Sequence, residues 1–298
     1  MQLDVEYRRR PSALAYMARA LHRAPELRLG GGFPALRLTW RGIRRDDRAL
    51  ADFAVLTGLE VERALPLLYP HVIGFRLQMA LLTHPAFPLP IWRALQVRNH
   101  LLQWRALAAD EPFDLAVTVG AQRVLEKGIE IDLHSSASVA GSVGWESIVT
   151  YYYRGRFGTA GPTSPLAQSP DAGNEDVARW RTTPGSGIRF GRLTGDYNGI
   201  HLSSVYARML GFPRAFHHPQ RVLGQCMARL PMLEPGLPQR LDAWLKGPVC
   251  YGAEVVLRAR RESEATTFAL FADGDLRPVI RGRWSMAPAC ERLTPAAA

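Results

Sequence analysis

The chain has 298 residues, of which 47% are hydrophobic and 21% charged. That length and apolar content suit one large domain or two ordinary ones and exclude a disordered chain. The formal net charge of +10 comes almost wholly from arginine, Lys127 and Lys246 being the only lysines. The arginines are scattered as on a solvated surface, and no zinc-finger spacing, RNP-type motif or basic run with interleaved aromatics points to nucleic acid.

The first residues, MQLDVEYRRRPSALAYMARALHR, carry early acidic groups and an arginine-broken apolar stretch, which is unlike a secretion signal. Tyr16, Met17, Ala20 and Leu21 fall at helical spacing, and residues 40–60 combine a basic turn with a second amphipathic helix. No stretch reaches the ~18 continuous apolar residues of a membrane span. Cys226, Cys250 and Cys290 are odd in number and widely spaced, which suits inert thiols in a reducing compartment and no metal site. A cytoplasmic location is therefore expected.

Residues 65–82, LPLLYPHVIGFRLQMALL, are apolar at helical spacing and too long for one strand. Strand-like runs follow at 113–125, 128–140 and 142–154, punctuated by Gly128 and Gly141. Residues 156–187 are dense in Gly, Pro, Ser and Thr and predict a linker between a first domain, 1–155, and a second, 188–298. The second repeats the order of the first. A helix over 218–233 precedes strands at 240–249, 254–262, 266–272 and 279–286. One long helix on an antiparallel meander, twice, predicts an α+β fold and suggests a duplication, although no residue-level repeat accompanies it.

The stretch GDYNGIHLSSVYARMLGF (195–212) holds Asp196, Asn198 and His201. On one continuous helix, Asp196 and His201 would lie about 140° apart, so a turn must separate them if they are to meet. Gly195, Asn198 and Gly199 supply turn chemistry, Ser203 or Ser204 can cap the helix that follows, and Gly211 can end it. A neutral imidazole beside an ionised carboxylate can share the proton traffic of one water. The same residues also suit an Asx turn and an ordinary helix cap.

The longer run FGRLTGDYNGIHLSSVYARMLGFPRAFHH (190–218) resembles the MaoC-like family of (R)-specific enoyl-thioester hydratases and 3-hydroxyacyl-thioester dehydratases. The family pattern is a "SGDxNPxHxD" stretch, a short helix, "GF", and an "HG" opening a long central helix. Here T-G-D-Y-N-G-I-H, A-R-M-L-G-F and His218 occupy those places, and WLKGPVCYGAEV (244–255) resembles the family's following strand. The resemblance implies two hot-dog domains, each a long helix wrapped by a curved antiparallel sheet, the first degenerate and shaping the acyl pocket. It implies Asp196 and His201 as the catalytic pair, adding water to a trans-2-enoyl thioester or removing it from the (R)-3-hydroxyacyl thioester, with Asn198 fixing the loop. It implies no cofactor beyond the substrate's own carrier, CoA or the phosphopantetheine of an acyl carrier protein. A monomer with an internal pseudo-dimer, or a homodimer, is expected.

Two residues depart from the pattern. Gly199 replaces a proline, and Pro219 replaces the glycine whose N–H polarises the thioester carbonyl; proline has no N–H. The carbonyl donor is then sought among His218, Pro219 and Gln220, with Gln220 or His218 donating in place of the lost group. Arg214, close to that helix start, is a candidate for the carrier's phosphate. A non-catalytic acyl-thioester or carrier-binding module and a hot-dog thioesterase are the competing readings, because a fold alone does not fix a reaction.

Overall fold

In the computed structural model, which describes residues 3–21, 32–171, 173–231, 238–287 and 293, the chain order repeats itself. The first half runs β1 (Leu3–Tyr7), α1 (Ala13–Ala20), β2 (Leu36–Ile43), α2 (Asp47–Thr57), α3 (Tyr69–Leu82), β3 (Leu95–Gln103), β4 (Phe113–Leu125), β5 (Gly128–Val139) and β6 (Ser142–Arg154). The second runs β7 (Glu175–Arg181), α4 (Gly187–Thr194), α5 (Ser204–Met209), α6 (Pro219–Met227), β8 (Gln239–Leu245), β9 (Glu254–Arg261), β10 (Ala265–Ala272) and β11 (Ile280–Met286).

Among the described residues eleven strands join one sheet in the order β1-β2-β4-β5-β6-β3-β8-β11-β10-β9-β7. From β3 outward through β6, β5 and β4 to β2, the order is matched from β8 outward through β11, β10 and β9 to β7. The halves meet where β3 pairs antiparallel with β8, from Arg98 opposite Trp244 to Gln103 opposite Gln239. One face of this sheet wraps α3 and α6. Every residue of α3 is buried, as the apolar surface of a central helix requires. Leu101, Val149, Leu133, Leu241 and Phe268 from the sheet share a single core with Leu77, Leu81, Val222 and Leu223 from those helices.

The strand expectations at 113–125 and 142–154 match β4 and β6 residue for residue. β7 lies inside the stretch expected to be linker. Its polar sequence EDVARWR makes it an edge strand that pairs only with β9, and most of it is exposed. Leu166 in that stretch is also anchored: its carbonyl accepts a 2.9 Å hydrogen bond from Trp244 Nε1, and its side chain packs against the cluster of Leu102, Ile148, Ala287 and Leu293. The helix expected over 218–233 ends at Met227, and its residues 232–233, like Cys290, lie outside the described residues. Cys226 and Cys250 are buried free thiols. Among the described residues no helix is long and apolar enough to cross a membrane.

Candidate active site

Gly195 ends α4 in the left-handed conformation at φ 75°. A Cβ there would have to displace Tyr16 Oη, which donates a 2.6 Å hydrogen bond to the Gly195 carbonyl. The reversal at Gly195 points Asp196 back toward α6. The Asp196 N–H donates to Thr194 Oγ1 at 3.1 Å, and the Asp196 carboxylate accepts from the Asn198 N–H at 3.0 Å. Asn198 Oδ1 then accepts from the Ile200 N–H at 3.2 Å, capping a 3-10 turn over Gly199–His201. Ser203 caps α5, its Oγ accepting from the Tyr206 N–H at 3.3 Å. This is the turn that the five-residue spacing demanded, and Asn198 sits in it as a backbone clamp.

The turn brings His201 Nε2 to 3.5 Å from Asp196 Oδ2. His201 Nδ1 lies 2.9 Å from the Phe216 carbonyl, so that nitrogen carries the proton in the neutral ring and Nε2 presents its lone pair to the carboxylate side. Tyr251 Oη donates to the His201 carbonyl at 2.9 Å, holding the backbone beneath the ring. His218, the residue before α6, stacks on His201 with centroids 3.9 Å apart and 26° between planes. Its Nε2 lies 3.0 Å from the Asp196 carbonyl oxygen, to which it donates.

Burial by itself would raise the Asp196 carboxyl. A proton on the adjacent His201 or His218 ring would be held by this carboxylate, and with the Asn198 N–H this outweighs burial, so Asp196 is held well below the usual carboxylate range and stays ionised. Burial, then the neighbouring His201, pushes His218 down to about 3, so its ring is neutral. His217 is likewise lowered to about 3, by burial and then by Arg221.

Asp196 and His201 open onto one cavity of about 400 Å³. Both halves line it: Phe75, Met79 and Tyr151 come from the first, Phe216, Val222 and Ile280 from the second. Asn198, Pro219 and Gln220 also line it, whereas His218 and Arg214 are not among its lining residues. Arg214 instead pairs with Asp273 at 2.8 Å on the surface. Lys246 does line the cavity. Reading from the sequence missed it, although it is one of two lysines and stands within the quoted WLKGPV segment. Partial burial, then Arg281 and Arg98, lowers its ammonium pKa.

The first half also fixes the loop from behind. The buried Arg76 of α3 donates to the carbonyls of Arg192 (2.5 Å) and Leu193 (3.2 Å) at the end of α4. A cation there satisfies orphan carbonyls and complements the helix dipole. The donor atoms of Asp196, His201 and His218 lie within 4.8 Å of one another, close enough to surround a metal ion. His218 Nε2 already serves the Asp196 carbonyl, which leaves the carboxylate and His201 Nε2 as the free pair.

Two central helices in one continuous sheet, with a single loop carrying an aspartate and a histidine to a shared cavity, define a double hot-dog fold. No family model matches the chain. Its homologues include 3-hydroxyacyl-thioester dehydratase X of Mycobacterium tuberculosis, 29% identical over 226 residues that cover 74% of this chain and 81% of the relative. The crystal structure of HtdX from the same organism superposes with a TM-score of 0.71 at 23% identity, over 84% of this chain and all of that one. A MaoC-like dehydratase from Phytophthora capsici gives 0.71 at 16% identity, over 88% of this chain and 98% of the other.

Proposed function

We propose that the chain is a hydro-lyase that interconverts trans-2-enoyl and (R)-3-hydroxyacyl thioesters carried on CoA or an acyl carrier protein. The observation that carries this reading is the shared cavity of Asp196 and His201, whose carboxylate oxygen and Nε2 are both acceptors 3.5 Å apart. Two such acceptors can hold one water between them and take one proton from it. In hydration, the water oxygen bonds to Cβ and the Cβ=Cα electron pair moves toward the thioester carbonyl. The proton removed by the pair is then delivered to Cα on the same face. Dehydration is the reverse.

The apolar wall from Phe75, Met79, Tyr151, Val222 and Ile280 suits an acyl tail. In this reading the thioester carbonyl meets the start of α6. Lys246 on the cavity lining is better situated than the Asp273-paired Arg214 to meet a phosphate of the carrier. The homologue named as a dehydratase supports hydro-lyase chemistry on thioesters, and the single active loop supports one reaction centre per chain.

The test is the loss of enoyl-thioester absorbance when purified protein meets crotonyl-CoA and longer enoyl-CoAs, with chiral analysis of the product. Turnover that vanishes in Asp196→Asn is expected. Tight acyl-CoA binding without turnover would instead favour a binding module, the reading that Pro219 at the carbonyl position favours. Release of free thiol would indicate a thioesterase.

A further inference from the structure

Pro219 opens α6 and offers no N–H, and beyond Gln220 the N–H groups of Arg221 and Val222 both point at the His218 carbonyl (3.1 and 3.3 Å). Gln220 is therefore the one residue of this helix start with donors left for the cavity it lines. Its side chain is almost wholly buried, and its Nε2 donates at 3.2 Å to Gln96 Oε1 on β3 of the other half. Gln96 Nε2 donates in turn at 2.7 Å to Oδ1 of Asn99, which is fully buried. Three amides thus run in line from the first half's seam strand to the cavity. An amide NH2 has two donors, and Gln96 occupies only one on Gln220.

Resting on the hydro-lyase reading, we infer that Gln220 is the carbonyl-polarising group, and that Gln96 and Asn99 of the catalytically silent half are its positioning residues. A free glutamine side chain has several rotamers and would polarise a carbonyl poorly. Anchored through Gln96 to a buried asparagine, the Gln220 amide is preorganised, which is what makes a donor effective when charge develops on an oxygen. Electron density leaving Cβ=Cα accumulates on the thioester oxygen, and the second Nε2–H of Gln220, with its backbone N–H, stabilises it there. The chain thereby restores from across the seam what Pro219 removed.

The test uses 2,4-hexadienoyl-CoA, whose conjugated absorption moves to longer wavelength when its carbonyl is polarised, bound to full-length Asp196→Asn protein so that no hydration intervenes. A red shift is expected in Asp196→Asn. It should shrink in the added variants Gln220→Met, Gln220→Glu and Gln96→Met, while affinity for the probe stays within a few-fold. In the Asp196 background, Gln220→Met should lower kcat by about a hundredfold, as loss of one oxyanion donor does. Gln96→Met should lower kcat about tenfold with KM nearly unchanged. Gln220→Glu, isosteric but without N–H donors, decides the matter if a methionine variant fails to fold. An undiminished red shift in Gln220→Glu or Gln96→Met overturns the amide chain and leaves the hydro-lyase reading standing. Failure of the Asp196→Asn protein to bind the probe at all overturns both.

Discussion

The two halves carry the same device, and only one is armed. In the first, residues 53–59 read FAVLTGL; in the second, residues 190–196 read FGRLTGD. Thr57 Oγ1 donates to the Phe53 carbonyl and accepts from the Leu59 N–H. Thr194 Oγ1 donates to Phe190 and accepts from Asp196 in the same way. Gly58 and Gly195 both end their helices at positive φ, 79° and 75°. Leu59 therefore stands where Asp196 stands. Leu68 precedes α3 as His218 precedes α6, but Leu68 follows Leu59 by only nine positions, whereas His218 follows Asp196 by twenty-two. The extra length holds the 3-10 turn with His201 and all of α5. Even the bracing is reciprocal: Arg76 of α3 reaches the Leu193 carbonyl, and Arg221 of α6 reaches the Leu56 carbonyl at 3.1 Å. A scaffold can thus keep its packing while one copy of a loop loses its polar groups, because a leucine in that place is simply core.

Disarming each half in turn should give the largest contrast between them. Asp196→Asn or His201→Ala should lower turnover of an enoyl thioester by about 10²–10⁴-fold, the scale of lost acid–base catalysis. Leu59→Asn should leave turnover per folded molecule unchanged and lower the melting temperature. Equal losses of turnover in the two variants would end the division of labour.

Acid stability draws on both halves. His71 on α3 occupies the place of Arg221 on α6, and neither of its ring nitrogens has a hydrogen-bond partner among the described residues. Burial lowers it from the ordinary 6.5 to about 4. An unfolded chain takes up this proton below about pH 6.5, whereas the folded chain takes it up only near pH 4. Stability is thus present above 6.5 and lost as pH falls through that window, by about 3 kcal/mol for this group. His217 and His218 act in the same direction in the second half. Denaturant melts between pH 7 and 4 should show the loss, and His71→Phe should flatten its slope by about one proton. An unchanged slope would mean that His71 is not buried neutral.

The paired glycines give a smaller effect. Gly58→Ala forces a side chain into the left-handed region, at a cost of about 1–2 kcal/mol, with the Ala228 Cβ 3.1 Å away. Gly195→Ala bears that cost and also displaces the Tyr16 hydroxyl, so it should destabilise more and depress kcat as well. Arg76→Met should destabilise by about 1–3 kcal/mol through its unpaired carbonyls and lower kcat. Arg221→Met should match it in stability. An Arg76→Met protein with full kcat would show that the loop needs no brace from the first half.

Much of this architecture was legible in the residues. The strands β4, β5 and β6 are apolar runs punctuated by Gly128 and Gly141, and Asp196, Asn198 and His201 could be placed at a turn because on one continuous helix they could not meet. The strands that escaped notice have polar faces. β3 reads LQVRNHLLQ because its back turns Arg98 toward Glu130 (2.7 Å) and His100 toward Asp242 (2.7 Å), both buried. β7 is a polar edge. The internal repeat escaped because it is short and the unequal loops after it shift the register. The amide chain from Asn99 to Gln220 could not be read at all, since it joins residues more than a hundred positions apart through tertiary pairing alone. Lys246 had a sequence signal in its rarity.

The pairing of β3 with β8 across six residue positions has a consequence for how such a chain can change. Each of those strands has a second neighbour in its own half, so neither can slide by one residue without inverting which side chains face the helices. Insertions and deletions are thereby channelled away from the middle of the molecule and into the outer connections. The segment between α4 and α6 is one of these, and it is free to lengthen, shorten or be rewritten while the pocket walls stay in register.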